Sequence, residues 1–355
     1  VIMKNTMDKY SIFEKINSDN YCYIIAEIGV NHNGDLNTCK LLIDAAKASG
    51  SDAVKIQTYK THKLVIESAE KSNYQKDIKT EKESLFSMLQ KYELTKEDHY
   101  ELMRYANKKN IQFLSTAFDY ESVDLLDEMG VPIFKISSGD LTTIPLIKYI
   151  AKKEKPIILS TGRSNLFDIS EAIDAIKSIS NTEIALLHCV STYPASPEDL
   201  NLKAIQTLKN SFMVPVGYSD HSLGSAAAIV AVSLGAKIIE KHITLDCSSD
   251  GPDHKASMEP ENFKRMVLKI RSIEKMLGSG IKNPTSMESE EIHKGRRGVY
   301  ASKYIPKGSK FDESMFELLR PENSISANQL ESLVGKIART DILEMQGIEW
   351  NMVKD

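Results

Sequence analysis

Short apolar runs recur along this chain, and each turns polar at its C-terminal end. Eight of them read as buried strands: Tyr23–Gly29, Asp52–Thr58, Gln112–Phe118, Ile133–Gly139, Pro156–Thr161, Ile184–Val190, Val214–Asp220 and Lys237–Ile243. Between them lie stretches with helical spacing of apolar positions, such as Thr38–Ser49, Lys96–Lys109 and Ser225–Leu234. Repeated strand–helix alternation predicts a (β/α)8 TIM barrel, whose active site gathers at the C-terminal ends of the strands.

Side-chain alternation sharpens that expectation. If Val54 and Ile56 face the helices, Lys55 and Gln57 face inward. The same rule turns Glu27, Lys135, Ser160, His188, Ser219, His221, Glu240 and His242 inward. Two consecutive strands end in histidine, with Ser219 and His221 on one face and Glu240 and His242 on the next, which suggests a metal at the barrel mouth. An unpaired lysine in such an interior costs roughly several kcal/mol. Two inward lysines therefore imply an anion, phosphate or carboxylate. The plainer alternative pairs them with Glu240 or Asp140. Likewise Glu27 has a plainer reading as a helix cap, and His188 as a core residue.

Composition narrows the class. The chain has 355 residues, 41% of them hydrophobic, and a formal net charge of -4. No long basic patch points to nucleic acid. No apolar run reaches membrane-spanning length and no secretory leader is visible, so a cytoplasmic location is expected. Cys22, Cys39, Cys189 and Cys247 lack metal-like spacing and read as free thiols. The opening valine hints at a non-AUG start or processing, and residues 1–22 read as an N-terminal extension. The barrel is expected over 23–278, a linker over 279–296 and a compact tail over 297–355. In that tail Arg297–Ser302, Glu317–Arg320 and Ile348–Asn351 look like short strands. The span from Thr58 to Gln112 holds a helix-like piece, Glu83–Tyr92, and a long irregular stretch of the kind that carries function.

Several motifs stand in order: Glu27-Ile28-Gly29-Val30-Asn31-His32-Asn33-Gly34, Lys55-Ile56-Gln57-Thr58, Ser160-Thr161-Gly162, Gly217-Tyr218-Ser219-Asp220-His221 and Gly251-Pro252-Asp253-His254. With them the chain resembles the sialic acid synthase family from about Tyr23 onward. Arg296-Arg297, Ile305-Pro306-Lys307-Gly308 and Arg320-Pro321 make the tail similar to that family's antifreeze-like (SAF) domain. The resemblance implies condensation of phosphoenolpyruvate with an N-acetylmannosamine-type aldehyde to a nine-carbon 2-keto acid. It implies a divalent metal on His221 and His242, Mn2+ before Mg2+, with Glu240 close behind. Glu27 would move protons or position the sugar. Lys55, Lys135, Ser138, Ser160 and Ser219 match positions that hold phosphoenolpyruvate, and Asp253 a sugar-hydroxyl contact. Gln57 and Tyr193 join the expected substrate pocket. Arg320 matches an arginine that one subunit's tail lends to its partner's site, which requires a domain-swapped homodimer.

The chain also departs from the family. Arg163 follows Ser160-Thr161-Gly162 where methionine is usual, and it either contacts an anion or points to solvent. Asp140, placed with the substrate-binding set, replaces a glutamate and has a shorter reach. Asn73-Tyr74-Gln75 gives no alignable sugar contact. An N,N'-diacetyllegionaminate synthase acting on 2,4-diacetamido-2,4,6-trideoxymannose is the nearest alternative. A non-catalytic carbohydrate-binding protein is the alternative from another class.

Overall fold

The computed structural model describes residues 12–18, 20–71 and 83–355. The chain divides into two compact units between Gly278 and Ser279. In the first, eight parallel strands close in sequence order: β1 Tyr23–Gly29, β2 Ala53–Thr58, β3 Gln112–Ala117, β4 Phe134–Ile136, β5 Ile157–Ser160, β6 Ile184–Cys189, β7 Val216–Asp220 and β8 Ile238–His242. Helices lie between them, as the alternating pattern predicts. Local chemistry starts and stops these helices. Asp35 caps the helix Leu36–Ala48, Thr95 and Asn165 form reciprocal caps, and left-handed Gly130 ends Tyr120–Met129.

Alternation decides what faces where. Ile24, Ala26, Val54, Ile56, Phe134 and Leu159 pack outward against the helices. Tyr23, Ile25, Ala53, Leu114, Ile158, Leu187 and Ile238 form an apolar floor inside the barrel. Phe13 and Ile16, from the helix Ile12–Asn17, complete that floor. Part of the polar extension is thus a plug that keeps water from the bottom of the barrel. The polar inward positions lie one layer above, towards the C-terminal mouth.

Three expectations need correction. β4 ends at Ile136, because Ser138–Asp140 turns into a single 3-10 turn. His188 faces the helices; Ala185 and Leu187 hold the interior positions of β6. Its Nε2 donates to the Leu200 carbonyl at 2.8 Å and its ring stacks on Tyr218. In the second unit, Ile348–Asn351 is not a strand, and a 3-10 turn covers Trp350–Met352. That unit pairs β9 Gly298–Ala301 with β10 Phe316–Leu319, and β11 Ile337–Ala338 with β12 Val353–Lys354, both antiparallel. Val299, Ile305, Phe311 and Ile348 lie in its own core. The stretch 279–296 carries a capped helix, Ser286–Gly295. Asn73-Tyr74-Gln75 lies outside the described residues.

Candidate functional site

Strand register assembles the site. Glu27 on β1 lies opposite Lys55 on one side and His242 on the other. Ser219 lies opposite Glu240, and Thr116 opposite Lys135. These side chains line a cavity of about 240 Å³ at the C-terminal mouth, together with Gln57, Ser138, Ser160, Tyr193 and His221.

Its floor is a buried charge network. Lys55 Nζ lies 2.7 Å from Glu27 Oε2 and 3.7 Å from Glu240 Oε2. It also donates to Thr116 Oγ1 at 2.9 Å. Lys135 Nζ lies 3.7 Å from Glu240 Oε1 and donates to Ser160 Oγ at 2.7 Å. Each lysine therefore already has a carboxylate, and for neither is it Asp140. Burial lifts Glu27 to about 7 against the pull of Lys55. Burial acts on Glu240 the same way, but Lys135 and Lys55 prevail and hold it at about 2. Two carboxylates in one pocket are thus driven apart, Glu240 towards its charged form and Glu27 towards its protonated form.

The two histidines close the other side. His221 Nδ1 donates to the Val190 carbonyl at 2.7 Å, and its Nε2 lies 3.5 Å from Ser219 Oγ. His242 Nδ1 is buried with no hydrogen-bond partner among the described residues, 3.7 Å from Asp253 Oδ2. Burial, then His221 and Lys55, hold His242 well below the usual imidazole range. The ring centroids are 5.6 Å apart, and Tyr193 stacks 4.1 Å from that of His221. Gly29, at φ 55°, makes room here, because a Cβ would meet His242 Cε1 at 3.1 Å. Among the described residues no group of three or more His, Cys, Asp or Glu is arranged to hold a metal. An orphaned buried nitrogen on His242 beside the His221 imidazole does fit an open site, where water and substrate oxygens supply the remaining ligands.

A hydroxyl-rich wall faces them. Ser138 Oγ accepts from the Gly162 N–H at 3.0 Å and lies 3.6 Å from Cys189 Sγ. Cys189, Ser191, Thr116, Ser137 and Arg163 line the cavity too. The alternation rule finds Thr116 and Cys189 once β3 and β6 have the right phase, whereas Ser137 and Ser191 lie in loops where no periodicity speaks. Asp140 stands behind the cavity and accepts from Ser137 Oγ at 2.5 Å. Asp253 lies against His242 rather than on the cavity wall, and burial raises it to about 6. Arg320 is in the second unit, exposed, at the end of β10.

Known proteins share this arrangement of sequence and fold. The NeuB family model matches residues 42–282, and a SAF domain model matches residues 296–354. The chain belongs to the NeuB family. It is 48% identical over 323 residues to the N,N'-diacetyllegionaminic acid synthase of Campylobacter jejuni, covering 90% of this chain and 97% of that one. It is 46% identical to the N,N'-diacetyllegionaminic acid synthase of Legionella pneumophila, covering 88% and 89%. The crystal structure of an N-acetylneuraminic acid synthetase from Leptospira borgpetersenii, in complex with citrate, superposes with a TM-score of 0.69 at 38% identity, covering 77% and 90%. As a NeuB-family enzyme, the chain is a phosphoenolpyruvate-dependent, sialic-acid-type synthase that acts on an amino-sugar, and the family works with a divalent metal. The carbohydrate-binding alternative without catalysis falls away.

Proposed function

We propose that this enzyme makes an N,N'-diacetyllegionaminate-type acid from phosphoenolpyruvate and 2,4-diacetamido-2,4,6-trideoxymannose. The supporting observation is the 48% identity to the Campylobacter synthase over nearly its whole length. That likeness favours legionaminate over the N-acetylneuraminate expected from sequence alone. A panel of aldehyde sugars, with phosphate release and product mass as readouts, tests the reading. Turnover of the diacetamido sugar at least about tenfold faster in kcat/KM than of N-acetylmannosamine supports it. The reverse order returns the reading to N-acetylneuraminate.

The residues suit each step. Phosphoenolpyruvate enters against Lys55, Lys135, Ser160, Ser138 and Ser219, whose ammonium and hydroxyl groups match its anionic oxygens. Gln57, Tyr193 and Asp253 fit the polar sugar. A divalent metal bound by His221 and His242, Mn2+ in preference to Mg2+, would supply Lewis-acid polarisation of the aldehyde. The enol carbon C3 then bonds to the aldehyde carbon. Glu27, which burial holds towards its protonated form, gives the aldehyde oxygen its proton. Water adds at the cationic C2 and Glu27 accepts one of its protons; the other passes from the C2 hydroxyl to the phosphate as it leaves by C–O cleavage, giving the ketone. Glu240 stays ionised throughout and opposes the positive charge at C2. Asp140 fixes Ser137 at the edge of the pocket. In this reading the unit from residue 297 is exchanged within a homodimer, and Arg320 completes the neighbouring site.

A further inference from the structure

The cavity's two lysines already face carboxylates. Lys55 lies against Glu27 and Glu240, and Lys135 against Glu240, so an incoming dianion or trianion finds their charge largely offset. Arg163 is different. It lines the same cavity, is exposed, and has no hydrogen-bond or ion-pair partner among the described residues. Its backbone sits at φ 62°, a left-handed conformation that non-glycine residues disfavour.

The preceding residue shows why the chain is held there. A Cβ on Gly162 would overlap Ser191 Oγ and meet Ser138 Oγ at 2.8 Å and Cys189 Sγ at 3.2 Å. The Gly162 N–H already donates to Ser138 Oγ. The backbone is therefore pressed into the hydroxyl wall, and the next side chain emerges at the rim of that wall. Asp140, the nearby carboxylate, is engaged by Ser137 Oγ.

We propose that Arg163 is a phosphate-binding residue of this site, taking the phosphoryl oxygens of phosphoenolpyruvate together with the Ser138 and Ser191 hydroxyls. The assignment rests on the phosphoenolpyruvate reading above. A phosphoryl group offers a higher charge than a carboxylate and oxygens spaced for the guanidinium fork. An exposed, uncompensated cation at the rim also attracts the anion from solution, an effect that salt weakens. The same contact lies on the exit path of the released phosphate.

The test is calorimetric titration of phosphoenolpyruvate and of inorganic phosphate into the Mn2+-loaded enzyme, at low and high salt. Wild type is compared with Arg163→Met and Arg163→Lys, beside steady-state kinetics. Arg163→Met should weaken both anions by about tenfold or more and flatten the salt dependence. The sugar KM should stay within about twofold, and Arg163→Lys should restore part of the loss. Matching unfolding midpoints show that the variants fold. Anion affinities within about twofold of wild type in Arg163→Met, with normal turnover in both, overturn the role of Arg163 alone. A wild-type enzyme that neither binds nor consumes phosphoenolpyruvate overturns the functional reading and this assignment together.

Discussion

Lys241 Nζ lies 2.7 Å from Asp220 Oδ2 on the outer face of the barrel, in a pair with almost no exposure to solvent. The same ammonium donates to the Ser222 carbonyl at 2.8 Å, and Asp220 Oδ1 accepts from the Ser222 N–H and hydroxyl. Each partner immediately precedes a cavity histidine, so the pair ties β7 to β8 directly behind His221 and His242. Lys241→Met leaves a buried carboxylate without its cation and should cost about 3–5 kcal/mol. The double variant Asp220→Asn with Lys241→Met should recover much of that loss in chemical denaturation. Equal destabilisation of the single and double variants would show that the charges are not coupled.

Lys135 has a compensated charge, yet it faces the cavity through Ser160. Lys135→Met should raise the KM for phosphoenolpyruvate by a factor corresponding to about 2–3 kcal/mol. The sugar KM should move less. Initial-rate kinetics with each substrate varied in turn distinguish this from a purely structural lysine, whose loss would lower stability and leave the KM ratio unchanged.

Glu27 sets a pH dependence of known sign. Its pKa is raised from 4.5 to about 7 by burial, so folding favours the protonated form. Its contribution to stability is complete below pH 4.5 and is lost as pH rises through about 7. Glu27→Gln removes that contribution's pH dependence. The unfolding midpoint of wild type should fall relative to Glu27→Gln between pH 5 and pH 8, by a difference on the order of 1–3 kcal/mol. A constant difference across that range would place the ionisation elsewhere.

Exhaustive chelation should abolish turnover, and Mn2+ should restore it at least as well as Mg2+. His221→Ala should behave like the chelated enzyme, with unfolding within about 2 kcal/mol of wild type. Elemental analysis alongside the assay decides the matter, because full activity in verified metal-free protein is incompatible with the expected role of the two imidazoles.

Exchange of the second unit is open to a mixing experiment. Arg320→Ala and His242→Ala subunits, each nearly inactive, are co-refolded. With exchanged units the mixed dimer holds one doubly damaged site and one intact site, so activity returns. A verified mixed dimer without activity rules the exchange out.

The barrel is legible in the sequence because each strand carries its own two-residue period. Val54 and Ile56 against Lys55 and Gln57 leave one phase only. β6 is the exception. Ile184 to Leu187 is apolar on both faces, so the lone His188 invites an inward reading, and its real partner is a carbonyl twelve residues away. Cys189 and the outward histidine therefore become visible only when register with β7 is known. The charge network hides for a related reason. Sequence lists Lys55, Lys135, Glu27 and Glu240, but which ammonium meets which carboxylate depends on register between β1 and β2 for Lys55 and Glu27, and on reach across non-adjacent strands for Glu240. Arg163 aligns with the family's usual methionine, but the choice between an anion contact and solvent stays open in sequence, since its backbone conformation and its neighbour's close packing decide where it points.

The helix carrying Phe13 and Ile16 has a consequence for the order of events during synthesis. It is made before any barrel strand, yet the floor on which it sits draws on residues from Tyr23 to Ile238. No partial chain offers that seat complete. The helix must wait, undocked, until the last barrel strand is made, a delay typical of contacts between distant parts of a chain. Its docking is then a seal on a finished barrel rather than a starting point for one.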